Sequence, residues 1–168
     1  KLKNKANSNS QRDRDQPTTS STSNIENEAL QNVNFSHLHC HSQFSILQST
    51  SSISNLINTA VQHKMPAIAL TDTGNMMGVF YFVKEALAHN NSVENFNKTL
   101  EEGQEPKLPI KPILGCEFFV CEDHLDKSHK DNGYQIVILA KNKNGYHNLA
   151  KLSSISNTEG FYYVPRID

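Results

Sequence analysis

Three histidines stand at period two in the run Phe35-Ser36-His37-Leu38-His39-Cys40-His41. Successive side chains of an extended strand point to opposite faces, so His37, His39 and His41 would share one face, with Leu38 and Cys40 on the other. Two carboxylates fall at comparable places in other apolar runs. Asp72 closes Ala67-Ile68-Ala69-Leu70-Thr71, and Glu117 lies inside Ile113–Val120. A set of His39, His41, Asp72 and Glu117 suits Zn²⁺, Mn²⁺ or Fe ions, which accept mixed nitrogen and oxygen ligands. Thr73 and Asn75 would stand beside it. A lone histidine in a core is ordinarily just hydrogen-bonded, so spacing alone leaves both a metal centre and a polar network open.

The other candidates have plainer readings. His63, His89, His124, His129 and His147 fall on expected helix ends, loops or surfaces, where solvation is the default. Cys116 adjoins Glu117 but reads as a small buried core residue rather than a ligand. Phe161-Tyr162-Tyr163 could stack nucleobases; packing along an edge is the reading favoured here.

The elements that must position these residues follow from hydrophobic period. Phe35–His39 reads as a short strand. Ile53, Leu56, Ile57, Ala60 and Val61 recur at helical spacing and predict a helix ending near His63, capped by Ser52 or Ser54. Ala67–Leu70 predicts a second strand and Thr71–Asn75 a turn. Phe80, Val83 and Leu87 mark a second helix. Residues 90–109 are polar, with Gly103, Pro106 and Pro109, and read as an inserted loop. Ile113–Val120 and Ile136–Ala140 predict two more strands, with a turn at Asp131-Asn132-Gly133 between them. Asn144 could cap a third helix reaching about Ser156. These strands are apolar and hardly alternate, as strands buried on both faces are. The pattern predicts an α/β fold with a largely parallel sheet, either doubly wound or part of a barrel. In such folds the site forms at the carboxyl ends of the strands, where His39, His41 and Asp72 fall.

Composition narrows the function. The chain has 168 residues and a formal net charge of −1, so one domain with a real core is expected. No basic excess marks this segment as a main phosphate-binding surface. Three cysteines without a CxxC pair fit a reduced, cytoplasmic setting better than a disulfide scaffold. No apolar run approaches the ~20 residues of a membrane span. Residues 1–34 hold only Leu2, Ile25, Leu30 and Val33 as large aliphatics and read as a disordered polar linker, with the domain at 35–168. The chain reads as a piece of a longer polypeptide.

Several blocks then carry a resemblance. His37-Leu38-His39-Cys40-His41-Ser42, with Phe44-Ser45-Ile46-Leu47 after it, resembles the first motif of PHP (polymerase and histidinol phosphatase) domains. Met65–Asp72 with Gly74-Asn75-Met76 resembles the second, and Lys111–Glu117 the third. Leu139–Asn142, Gly145-Tyr146, Lys151–Ser154 and Glu159–Tyr163 resemble the form found in the alpha subunits of bacterial C-family replicative polymerases, DNA polymerase III. The resemblance spans Phe35–Asp168 and implies the N-terminal part of a distorted (βα)7 barrel with mostly parallel strands. It also implies a metal cluster at one mouth, where metal-activated water would attack a phosphoester.

Against that pattern the chain departs three times. Gln48 stands where the family usually has an acid or histidine, Thr73 where it has histidine, and Gln135 where it often has histidine. His39, His41 and Glu117 match, with Asp72 beside a lost position. The resemblance therefore implies a depleted site holding at most one weakly bound ion, Zn, Mn or Mg, on a structural platform. The parent chain would be a Mg-dependent DNA polymerase, contacting DNA through its other domains and working with a sliding clamp and a proofreading exonuclease. The competing readings are a free-standing metal-dependent phosphoesterase or 3′–5′ exonuclease, and a non-enzymatic scaffolding module.

Overall fold

The computed structural model describes residues 34–168, so the linker expected at 1–34 lies, apart from Asn34, outside the described residues. Helix α1 (Ile53–Gln62) begins where Ser52 accepts a hydrogen bond from the Asn55 amide at 3.2 Å. It buries Ile53, Ile57 and Ala60, one stripe at helical spacing. Pro66 cannot continue a helix, and strand β1 (Ala67–Leu70) follows, buried along its whole length. Then come helix α2 (Val79–Lys98), strands β2 (Lys111–Val120) and β3 (Tyr134–Leu139), helix α3 (Lys143–Thr158), and the short strands β4 (Phe161–Tyr162) and β5 (Val164–Ile167).

Strand β2 organises the sheet. Its first half pairs in parallel with β1, Leu70 opposite Leu114. Its second half pairs antiparallel with β3, Glu117 opposite Val137. Its tip pairs in parallel with β5, Phe119 opposite Arg166, and β5 turns back antiparallel on β4. The result is a mixed α/β layer with a parallel β1–β2–β5 spine. Strand β3 departs from that direction for a simple reason. Residues 121–133 contain no helix, the element that usually carries a parallel crossover.

One core cluster joins α1, α2 and β1 through Ile53, Ile57, Ile68, Leu70, Phe82 and Ile110. A second joins Cys116, Phe118, Leu149 and Ile167 under α3. Burying a side chain such as Phe82 contributes roughly 1.5–3 kcal/mol.

Four local expectations need correction. The Phe35–His39 segment is not a regular strand. Its ties to β1 are the Ala69 amide to His37 O (2.9 Å) and the Thr71 amide to Cys40 O (2.8 Å). Three residues on one side thus face two on the other, a bulge-like mismatch that re-aims side chains.

The helix expected around Phe80, Val83 and Leu87 exists, but its buried face is Val79, Phe82, Ala86 and Val93. Phe80 is 72 % exposed and Leu87 52 %. Spacing found the helix but not its phase.

The polar stretch 90–109 is not all loop, since α2 runs on to Lys98. Two asparagines of this helix clamp the returning chain. Asn90 exchanges hydrogen bonds with the backbone of Ile110 (2.8 and 2.9 Å), and Asn97 with that of Lys107 (2.9 and 3.0 Å). Polarity there serves tertiary bonding, which composition alone reads as loop.

Asn142, not Asn144, caps α3, accepting from the Gly145 amide at 3.0 Å.

Candidate metal centre

Two imidazoles converge on one carboxylate. His39 Nε2 lies 3.1 Å from Glu117 Oε1, and His41 Nε2 lies 3.3 Å from Glu117 Oε2. The two Nε2 atoms are themselves 3.1 Å apart. Glu117 comes from the middle of β2, between Cys116 and Phe118, and is buried, whereas His39 is half exposed. The histidines stand on the irregular segment beside β1, and the bulge there separates them from His37. The His37 ring instead meets Phe35 edge-on, centroids 4.8 Å apart.

Asp72 is not part of this convergence. Its carboxylate accepts from the Ser42 amide (2.6 Å), the Ser42 hydroxyl (2.7 Å) and the Ser45 hydroxyl (2.7 Å), all buried. It therefore ties the turn after His41 to the end of β1. Asn75 has a similar task, donating to the carbonyls of Phe44 and Thr73 and accepting from the Met77 amide. Gly74 sits between them with φ of 66°, a left-handed conformation that glycine adopts without strain.

Thr73 and Gln48 do reach the centre. Thr73 Oγ1 is 2.8 Å from Glu117 Oε2 and 2.7 Å from Gln48 Oε1. The hydroxyl has one proton for two acceptors. If it goes to the carboxylate, the Gln48 amide must turn its NH₂ toward Thr73, an orientation that only the bonding network decides. Gln135 is exposed on β3 opposite Phe119, away from this bonded group.

The donors fit a single ion. Zn²⁺ bound tetrahedrally with ligands about 2.0–2.1 Å away requires neighbouring donor atoms about 3.3 Å apart. The two Nε2 atoms and the Glu117 oxygens facing them meet that spacing. Without an ion the same atoms are crowded, because two Nε2 protons cannot point at the carboxylate while the nitrogens also bond each other. His39, His41 and Glu117 would hold the ion. When bound it would supply Lewis acidity and acidify a coordinated water.

Cys116 Sγ does not join the set. It sits buried against the carbonyls of Asp72 and Asn75. Burial, and secondarily the Asp72 carboxylate, push its thiol up to about 12.

Sequence reasoning missed three further polar features. His124, expected at the solvated surface, is largely covered, with Nδ1 2.9 Å from Asp168 Oδ2. That contact holds the Asp168 carboxyl below its ordinary range. His89 is half buried, and its Nε2 has no partner among the described residues. Arg166 went unremarked, yet it is almost fully buried. Its guanidinium donates to the carbonyls of Gly160, Asp131, His124 and Asp126 at 2.9–3.2 Å, fastening the 121–133 connection to β5. No periodic signal marks a residue whose partners are backbone carbonyls of a loop. Phe161 and Tyr163 are exposed on the β4–β5 hairpin, while Tyr162 lies against Arg166.

A comparison with protein families matches residues 37–168 to the PHP domain. Among curated proteins, the chain is 42 % identical over 135 residues to the DNA polymerase III subunit alpha of Chlamydia trachomatis, covering 78 % of this chain and 9 % of that protein. The subunit of the same name from Borreliella burgdorferi is 41 % identical over 138 residues, covering 80 % of this chain and 10 % of the relative. That from Treponema pallidum is 41 % identical over 140 residues, covering 81 % and 10 %. The chain thus spans about a tenth of the length of the curated relatives it matches. Among the described residues no helix is long and apolar enough to cross a membrane.

Proposed function

The chain belongs to the PHP domain family, homologous to the N-terminal region of DNA polymerase III alpha subunits, and we propose that it is the PHP segment of a replicative DNA polymerase, acting as a structural platform with a reduced metal centre. In this reading the polymerase chemistry belongs to other domains of a longer chain. There Mg²⁺ ions and deoxynucleoside triphosphates would extend DNA, and the protein would work with a sliding clamp and a proofreading exonuclease in the cytoplasm. The barrel would be completed by strands outside residues 34–168.

The observation that carries the platform reading is the neighbourhood of Glu117. Thr73 and Gln48 fill it with a hydroxyl and an amide, poor ligands beside imidazole or carboxylate. Two-metal phosphoester-cleaving sites place an ion on both the attacking and the leaving oxygen, and the described residues offer three converging donors at this site.

The test uses the intact protein. Primer extension with deoxynucleoside triphosphates and Mg²⁺ is expected. Metal-dependent 3′–5′ nuclease activity that disappears in His39→Ala is not. Such activity would support the second reading, a metal-dependent phosphoesterase, which the His39–His41–Glu117 convergence favours.

A further inference from the structure

We infer that Thr73, with Gln48 behind it, is a positioning residue that aims Glu117 at one metal ion and closes off the place of a second. The inference rests on the reading of this centre as a reduced one.

Three observations lead there. His39 Nε2, His41 Nε2 and the Glu117 carboxylate already stand at the spacing of donors around one ion, 3.1–3.3 Å. Glu117 is buried on a central strand, so its carboxylate swings only as far as its hydrogen bonds allow. Thr73 is bound to the same strand, since Thr73 and Glu117 form a parallel bridge and the Gly74 amide donates to Glu117 O at 2.7 Å. Its hydroxyl is therefore fixed in place rather than carried on a mobile loop.

The direction of bonding sets the number of ions. A second ion sharing Glu117 through the remaining lone pair of Oε2 would have to displace Thr73. Thr73 Oγ1 occupies Oε2 at 2.8 Å, and Gln48 lies behind it at 2.7 Å. With the Thr73 proton on the carboxylate, the Gln48 amide donates to Thr73. The pair then forms a short donor chain pointing at Oε2, whose positive ends disfavour a cation. The same chain holds the carboxylate plane toward the two imidazoles. Hydrogen bonds to ligating carboxylates typically change metal affinity 10–100-fold when removed.

The experiment is metal counting on the intact protein, dialysed against Zn²⁺ or Mn²⁺ and measured by elemental analysis. The difference between wild type and His39→Ala isolates this centre from any ion bound elsewhere. One ion per chain is expected as that difference. Chelator competition should then show Thr73→Val holding that ion 10–100-fold more weakly, with Thr73→Ser restoring the affinity. Gln48→Ala, an exposed substitution that leaves the core intact, should weaken binding in the same direction. With Co²⁺ as probe, Thr73→Val should shift the visible ligand-field bands. A difference of zero, or of two or more ions, overturns the inference, as does unchanged affinity in a folded Thr73→Val protein. Primer extension reads the polymerase proposal separately, so either idea can fail without the other.

Discussion

Asp72 and Ser42 are bonded twice, amide to Oδ1 at 2.6 Å and hydroxyl to Oδ2 at 2.7 Å, which makes an acid at the end of a strand into an anchor for the turn that follows His41. With Ser45 adding a third donor, the carboxylate is satisfied and has little left for an ion. Replacing it with asparagine would put an NH₂ group against donors. Asp72→Asn is expected to lose about 2–4 kcal/mol of stability, since buried bonds to charged groups are worth about 1.5–3 kcal/mol each and a misplaced donor adds a penalty. Urea unfolding measures this. A folded Asp72→Asn protein with an unchanged midpoint would remove the anchoring role.

Arg166 offers a second test. Lysine keeps the charge but cannot reproduce a planar fork bonded to the four carbonyls of Gly160, Asp131, His124 and Asp126. Arg166→Lys is expected to cost about 2–3 kcal/mol by loss of charge-assisted bonds. Hydrogen exchange in residues 121–133 should rise well above that of α1. Uniform exchange across the protein would contradict a local clamp.

How much of this was legible beforehand depends on the kind of signal. His39, His41 and Glu117 could be picked out because metal-ligating side chains are conspicuous in apolar strands. Helix α1 was legible from its period and its serine cap. Ser42, Ser45 and Arg166 were not, because their partners are distant in sequence and ordinary in type. Phe80 and Phe82 are equally apolar, so only packing against α1 and β1 could choose Phe82 for the core. Asn90 and Asn97 misled, since the same amide that marks a loop can also clamp one.

Cys116 gives a pH-dependent expectation. Its thiol is raised from an ordinary 9.0 to about 12, so the folded protein holds this proton longer than the unfolded chain does. That contribution to stability is fully present below pH 9 and is lost as pH rises from about 9 toward 12. The melting temperature should therefore fall less steeply over that range in Cys116→Ala than in wild type. In the native protein near pH 8, Cys116 should resist thiol reagents until the chain unfolds; rapid labelling would contradict the burial.

Gly74 can be tested through its backbone. An added Cβ would run into the Pro165 ring, at a φ of 66° that side chains rarely adopt. Its carbonyl also accepts from Asn157 at 2.7 Å. Gly74→Ala is expected to cost about 1–3 kcal/mol and, because the Gly74 amide itself donates to Glu117 O, to weaken metal binding as well. Thermal melts and chelator competition on the same sample would separate the two effects.

The asparagine clamps of α2 have a further meaning. Asn90 on Ile110 and Asn97 on Lys107 make two rungs across the base of the connection between α2 and β2. What lies beyond the outer rung is insulated from Glu117. A doubling of loop length beyond such a neck adds only about 0.6 kcal/mol of closure entropy. Residues 100–105 are thus a natural grafting point, where a fluorophore or an affinity tag could be spliced in and the metal centre followed undisturbed.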